Sequence, residues 1–125
     1  MNHLEIKDLN LVDYIDAWDL MKSNVSRRSA TDQDEVWLAE HNPVYTLGHA
    51  ANEEFLFEEN NIPVVRTDRG GQITYHGPGQ RIIYVMLNLN ERNKDIKRYV
   101  KCLENWMIDS LKIIGLDSYL SLIHI

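Results

Sequence analysis

The sequence predicts an α+β domain, a mixed sheet flanked by helices. Three observations carry that expectation. Short apolar runs of strand character crowd the middle of the chain. Amphipathic helical periods bracket them on both sides. Between two of the strands, residues 69–80 read R-G-G-Q-I-T-Y-H-G-P-G-Q, a polar and glycine-rich connection. A length of 125 residues fits one domain.

Residues 11–25 place Leu11, Ile15, Trp18, Met21 and Val25 at helical spacing, which predicts a helix with a buried stripe and Asn10 or Asp13 at its start. Residues 26–34 are polar and charged and read as a loop. Val36-Trp37-Leu38-Ala39 is a short strand ended by Glu40-His41-Asn42-Pro43, where Asn-Pro signals a turn. Val44-Tyr45-Thr46-Leu47 is a second strand, stopped at Gly48. Residues 53–61 suit a brief acidic helix before Pro63. Ile62-Pro63-Val64-Val65 and residues 82–87 are the strands on either side of the glycine-rich connection. Residues 95–114 carry Ile96, Val100, Leu103, Met107, Leu111 and Ile114 on one helical face, expected to pack on the sheet, with Gly115 where a helix-terminating glycine belongs. Residues 116–119 look like the entry to another strand.

Composition narrows the function. The chain is 44% hydrophobic and 26% charged, as globular proteins are. A net charge of −6 argues against a nucleic-acid surface, which requires clustered Lys and Arg. The first eight residues show no apolar signal core, and no apolar run approaches a membrane span. Cys102 stands alone, so no internal disulfide forms. A cytoplasmic protein is the plain reading.

Residues 69–80 are the candidate site. An ordinary hairpin connection needs two to five residues and no such density of functional groups. The pair Gly70-Gly71 allows positive φ and close approach to the backbone. Gly77-Pro78-Gly79 reads as a tight turn. A loop that wraps a ligand with its N–H groups follows, with Arg69, Thr74, Tyr75 and His76 adding side-chain contacts.

The same segment resembles the signature of the lipoyl(octanoyl) transferases, the octanoyltransferases of lipoate biosynthesis. The resemblance rests on Arg69-Gly70-Gly71, Thr74, Tyr75-His76, the Gly77-Pro78-Gly79 turn and Gln80. The upstream run Glu40-His41-Asn42-Pro43-Val44-Tyr45-Thr46-Leu47-Gly48 and the downstream Tyr84-Val85-Met86-Leu87-Asn88-Leu89 extend it over residues 5 to 119. It implies the fold of the biotin and lipoate protein ligases. It also implies transfer of an octanoyl group from octanoyl-acyl carrier protein to a lysine of lipoyl domains, those of 2-oxoacid dehydrogenase complexes and the glycine cleavage H protein. No cofactor and no metal is implied. The reaction splits one hard step into two through a cysteine acyl-enzyme, with a lysine lowering the thiol pKa. By the same resemblance Arg69, Gly70, Gly71, Gln72, Ile73, Thr74, Tyr75 and His76 line the acyl pocket. Ile73 and Tyr75 offer apolar contact; Thr74 and His76 offer hydrogen bonds near the thioester carbonyl.

The resemblance also places the family's catalytic lysine and cysteine beyond the last residue here, so no catalytic residue is expected within this chain. Leu120-Ser121-Leu122-Ile123-His124-Ile125 is what the transposon-adapter sequence CTGTCTCTTATACACATC encodes in frame. Residues 1–119 are therefore read as the N-terminal part of one catalytic domain, and 120–125 as a non-native tail.

Other chemistries fit less well. The histidines and Cys102 show no metal-ligand spacing, and both glycine-rich phosphate-loop patterns are missing. Cys102 reads as a small residue at the edge of a helix's apolar face rather than as a nucleophile. Lys94, Lys97, Arg98 and Lys101 suit an acidic carrier protein but read more simply as a solvated helix face. His41 reads as a turn residue outside the site. Two alternatives stay open: an ATP-dependent lipoate or biotin protein ligase of the same fold, whose glycine-rich segment is richer in Arg and Ser, and a non-catalytic acyl- or carrier-protein-binding fragment.

Overall fold

The computed structural model describes residues 3–29, 33–52 and 61–121. It forms two compact units, residues 1–87 and residues 88–125.

In the first unit the chain opens on a strand that the sequence reading did not foresee, β1 (Leu4–Val12). Leu4 and Ile6 alternate with Glu5 and Lys7, but an irregularity between Asp8 and Asn10 shifts the register and breaks the period of two. Asn10 takes φ 55° at that point, its N–H bonded to Asp8 Oδ1 at 2.8 Å. Leu11 thus belongs to β1, and helix α1 (Tyr14–Arg27) starts later than expected and runs two residues into the supposed loop. Asp13 takes the N-cap position without a side-chain capping bond. The expected stripe is turned by about one residue: Ala17 is fully buried, while Ile15 and Val25 are exposed.

β2 (Asp34–His41) is longer than its four-residue apolar kernel and is buried along most of its length. It lies centrally, parallel to β1 and antiparallel to β6 (Ile82–Met86). β3 (Val44–Leu47) falls where expected and centres a second sheet, parallel to β4 (Val64–Arg66) and antiparallel to β5 (Ile73–His76). The fold is thus α+β as predicted, with two mixed three-stranded sheets among the described residues, ordered β1-β2-β6 and β4-β3-β5, in place of one. Residues 69–80 are not simply a connection, since β5 lies inside them. The apolar core gathers Ala17, Val36, Trp37, Ala39, Val44 and Leu47, the side chains whose removal from water drives folding.

Beside that core, Glu35 is nearly buried and accepts from Lys7 (2.8 Å), Arg28 (3.0 Å) and Asn24 (2.7 Å). Burial alone would raise its pKa; hydrogen bonds from Lys7, Asn24 and Trp37 overturn that effect and hold the carboxyl below its ordinary value.

The second unit carries a 3₁₀ helix (Leu89–Arg92) and α2 (Ile96–Ile113). Asp95 caps α2 by accepting from Arg98 N–H at 3.0 Å. Gly115, at φ 85°, ends it in a Schellman motif: Leu116 N–H bonds to Leu111 O and Gly115 N–H to Lys112 O. No residue of α2 is buried; on its apolar face Leu103 and Leu111 are half-buried and Ile96, Val100, Met107 and Ile114 are exposed. Cys102 is exposed too, rather than tucked at a core edge. Residues 116–119 form no strand. The acidic helix expected over residues 53–61 falls, but for Asn61, outside the described residues. No helix among the described residues is long and apolar enough to cross a membrane.

Candidate functional site

The glycine-rich segment is fastened to the end of β3 by backbone bonds. Gly48 N–H donates to Gln72 O at 3.2 Å, His49 N–H to Arg69 O at 3.0 Å and Ala50 N–H to Gly71 O at 3.0 Å. Thr67 returns two bonds to Leu47 O, from its N–H at 2.9 Å and its hydroxyl at 2.8 Å. Gly71 takes φ +87°, as the glycine pair suggested, whereas Gly70 needs no such freedom. The close approach occurs elsewhere: a β-carbon added at Gly48 would lie 2.3 Å from Gly71 O. The sequence reading saw Gly48 only as a strand stop.

Arg69 is drawn inward. Its Nη1 donates to Gly70 O at 2.9 Å. Its Nη2 faces Thr46 O, Thr46 Oγ1 and Gln72 O, each at 2.9 Å, and Thr74 Oγ1 at 3.2 Å. The planar fork of a guanidinium suits this work, knitting β3, β5 and the loop into one body. Arg69 and Thr74 thus order the site more than they reach out of it.

β5 then alternates. Thr74 and His76 share one face, Ile73 and Tyr75 the other. Tyr75 is 44% exposed and packs against its register partner Tyr45, ring centroids 5.4 Å apart. Gln72 and Gly70 are exposed. Gly77-Pro78-Gly79 forms the expected turn: Gln80 N–H bonds to Gly77 O at 3.1 Å and Gly79 takes φ +87°, the type II pattern. Gly79 N–H donates to Glu40 Oε2 at 2.8 Å, which ties the turn to β2.

His76 meets residues the sequence reading left out. Its ring stacks on Tyr14, the first residue of α1, at 6.1 Å and 14°. It also lies 6.1 Å from His41. His41 is not a turn residue; it is the last residue of β2, fully buried, with the turn one residue later. It bonds the Val12 carbonyl at 2.8 Å and the Tyr84 hydroxyl at 2.6 Å. The Asn-Pro that follows drew the residue into the turn on paper. Two acidic or imidazole side chains in a row, Glu40 then His41, at the end of an apolar strand were the available signal. Burial raises the pKa of Tyr84, reinforced by Tyr14. Burial also raises that of Tyr14, against the nearby Arg69 and with Asp68. Both phenols therefore stay neutral hydrogen-bonding groups at physiological pH. The result is a cluster of two phenols and two imidazoles beside a loop locked by one guanidinium. Among the described residues no group of His, Cys, Asp and Glu is arranged to hold a metal.

The geometry thus sets a glycine-rich segment, fastened to β3, beside a cluster of two phenols and two imidazoles. The family model of the lipoyl protein ligase A/B catalytic domain matches residues 13–121, and the chain belongs to that family. The octanoyltransferase of Pseudoalteromonas atlantica is 44% identical over 114 residues, 91% of this chain and 52% of that protein. That of Vibrio vulnificus is 44% identical over 117 residues, 94% of this chain and 54% of that protein. The Laribacter hongkongensis octanoyltransferase is 43% identical over 115 residues, 92% and 56%. The chain thus spans about half the length of the curated relatives it matches. Among solved structures, a bipartite lipoate protein ligase studied with its E2 lipoyl domain from Thermoplasma acidophilum superposes with a TM-score of 0.75 at 16% identity, covering 98% of this chain and 49% of that one. A putative lipoate protein ligase from T. acidophilum with bound lipoic acid gives 0.73 at 17%, covering 100% and 54%. These two likenesses concern the fold.

Proposed function

We propose that this chain is part of a cytoplasmic octanoyltransferase, one that moves an octanoyl group from octanoyl-acyl carrier protein to a lysine of lipoyl domains in 2-oxoacid dehydrogenase complexes and the glycine cleavage H protein. The observation that carries the reading is identity of 43–44% to octanoyltransferases across more than nine-tenths of this chain. The site is consistent with it. We assign the acyl pocket to Arg69, Gly70, Gly71, Gln72, Ile73, Thr74, Tyr75 and His76, with Gly70 and Gly71 as bare backbone; because β5 turns Ile73 and Tyr75 to one face and Thr74 and His76 to the other, one pair meets the acyl chain and the other backs the strand. Arg69 acts by holding this shape. The acyl-enzyme nucleophile and its lysine come from outside these residues.

The test joins residues 1–119 to the matching second half of the P. atlantica octanoyltransferase. The chimera should transfer octanoyl from carrier protein to a lipoyl domain, read by intact mass, with no need for ATP. Transfer only from free octanoate with ATP would assign a ligase instead and overturn the proposal.

A further inference from the structure

The first turns of α2 carry more positive charge than the helix itself can use. Residues 92–101 hold five cations, Arg92, Lys94, Lys97, Arg98 and Lys101, against one carboxylate, Asp95, in a chain of net charge −6. Asp95 is already engaged, accepting from Arg98 N–H at 3.0 Å. Arg92 is held as well, donating to Asn88 O at 2.8 Å. The side chains of Lys94, Lys97, Arg98 and Lys101 are exposed and enter no ion pair or hydrogen bond among the described residues. Lys97 and Lys101 stand four apart on one face, and Arg98 stands three before Lys101, spacings at which like charges repel. The first turn of α2 has no acidic residue, although the helix dipole favours anions there and cations at the other end. The last turn, where cations help, carries only Lys112. A merely solvated face has no use for cations grouped where they destabilise the helix. Ile96 and Val100, 64% and 45% exposed, border them with apolar surface.

We propose that this face of α2, Lys94, Lys97, Arg98 and Lys101 with Ile96 and Val100 beside them, is the docking surface for the acidic carrier protein that brings the octanoyl group. The identity of the partner rests on the octanoyl-transfer reading above; the surface rests on charge and exposure in α2. Carboxylates of the carrier set against Lys97, Arg98 and Lys101 offset the repulsion among them, so docking both adds attraction and relieves a cost present in the free chain. Ile96 and Val100 supply apolar contact area inside a charged rim. Contacts of this kind speed encounter and fix orientation, and salt weakens them.

The test titrates the full 125-residue chain, labelled with ¹⁵N, with octanoyl-carrier protein at low salt. Amide shifts should concentrate in residues 94–101. Lys97→Glu combined with Lys101→Glu should weaken binding about tenfold and remove most of its salt dependence. Glutamate forms helix as well as lysine does and suits the first turns better, so the double variant should unfold in urea no earlier than the parent. Absent shifts, shifts that map elsewhere, an affinity within about threefold of the parent in the double variant, or shifts produced by a lipoyl domain instead of the carrier would each overturn the surface. In the chimera the same pair of substitutions should raise KM for octanoyl-carrier protein about tenfold. It should leave kcat, KM for the lipoyl domain and transfer from a small octanoyl thioester unchanged; an equal loss with the small thioester would overturn the docking role. A chimera that transfers octanoyl but ignores the substitutions refutes the surface alone. Carrier bound at α2 without any transfer refutes the acyl reading alone, so the two failures are distinguishable.

Discussion

Gly48→Ala tests how the site is held together. Gly48 has no left-handed φ, so alanine is free to adopt its backbone conformation, and the obstacle is purely steric. The added β-carbon would sit 2.3 Å from Gly71 O, 2.6 Å from Gly70 O and 2.7 Å from Gly71 C, all backbone atoms with no rotamer to give. Reaching ordinary contact near 3.4 Å requires residues 70–71 to withdraw by about 1.1 Å. That movement breaks or weakens Ala50 N–H to Gly71 O and Gly48 N–H to Gln72 O. Overpacking costs roughly 1–3 kcal/mol, and each lost bond about 1 kcal/mol. The expected destabilisation is about 2–4 kcal/mol. Gly70→Ala is the control: nothing lies within 4 Å of its β-carbon, so it should stay within about 0.5 kcal/mol of the parent. Urea unfolding followed by tryptophan fluorescence measures both. A Gly48→Ala chain as stable as Gly70→Ala would refute the close packing of the loop on β3.

Gly71→Val should cost roughly 1–2 kcal/mol from its φ of +87° and slow octanoyl transfer in the chimera; unchanged stability and kinetics would contradict the backbone approach inferred there. Tyr84→Phe should lose about 1–3 kcal/mol in urea, since it leaves the buried His41 Nε2 without its hydrogen-bond partner. Glu35 has a folded pKa below its unfolded one, so its contribution is present above about pH 4.3 and fades as pH falls through the folded value. Glu35→Gln should therefore cost roughly 1–3 kcal/mol near neutrality and flatten the acid limb of the stability profile; an unchanged acid limb would count against it. Cys102, exposed on α2, should gather no octanoyl adduct from octanoyl-carrier protein, and a stoichiometric adduct by intact mass would show that it is a nucleophile after all.

The elements legible in the sequence were those whose local pattern matches their final surroundings. β3 stops at a glycine and starts after a proline, and α2 has a capping Asp95 and a terminal Gly115, so their bounds came out nearly right. β1 was invisible because its bulge breaks the alternation and its charged side chains find partners far along the chain, Lys7 at Glu35 and Asp8 at Arg81. The turned face of α1 has a similar cause. Ile15 and Val25 match the ideal stripe, but Ala17 is the residue buried, and Tyr14 and Asn24 have partners set by β2, His41 and Glu35. Only tertiary pairing decides that, and one sequence does not display it.

The site was legible in composition and opaque in role. Residues 69–76 drew attention through glycine and mixed polar groups, and the structure lays them along β3, residues 69–72 at its C-terminal end and β5 beside its length. What the list of residue types could not separate was ligand contact from support. Arg69 looked like a cation for a substrate, yet five oxygens within 3.2 Å hold it in the loop. His41 looked like a turn residue, yet it lies fully buried between Val12 and Tyr84. The two errors share one physical root. A charged or imidazole side chain is costly to bury without partners, so its role depends on partners that β-pairing brings from far along the chain: Thr46 for Arg69, Val12 and Tyr84 for His41. His76 differs from both because its acceptor, Gln80, is only four residues away and leaves one nitrogen open.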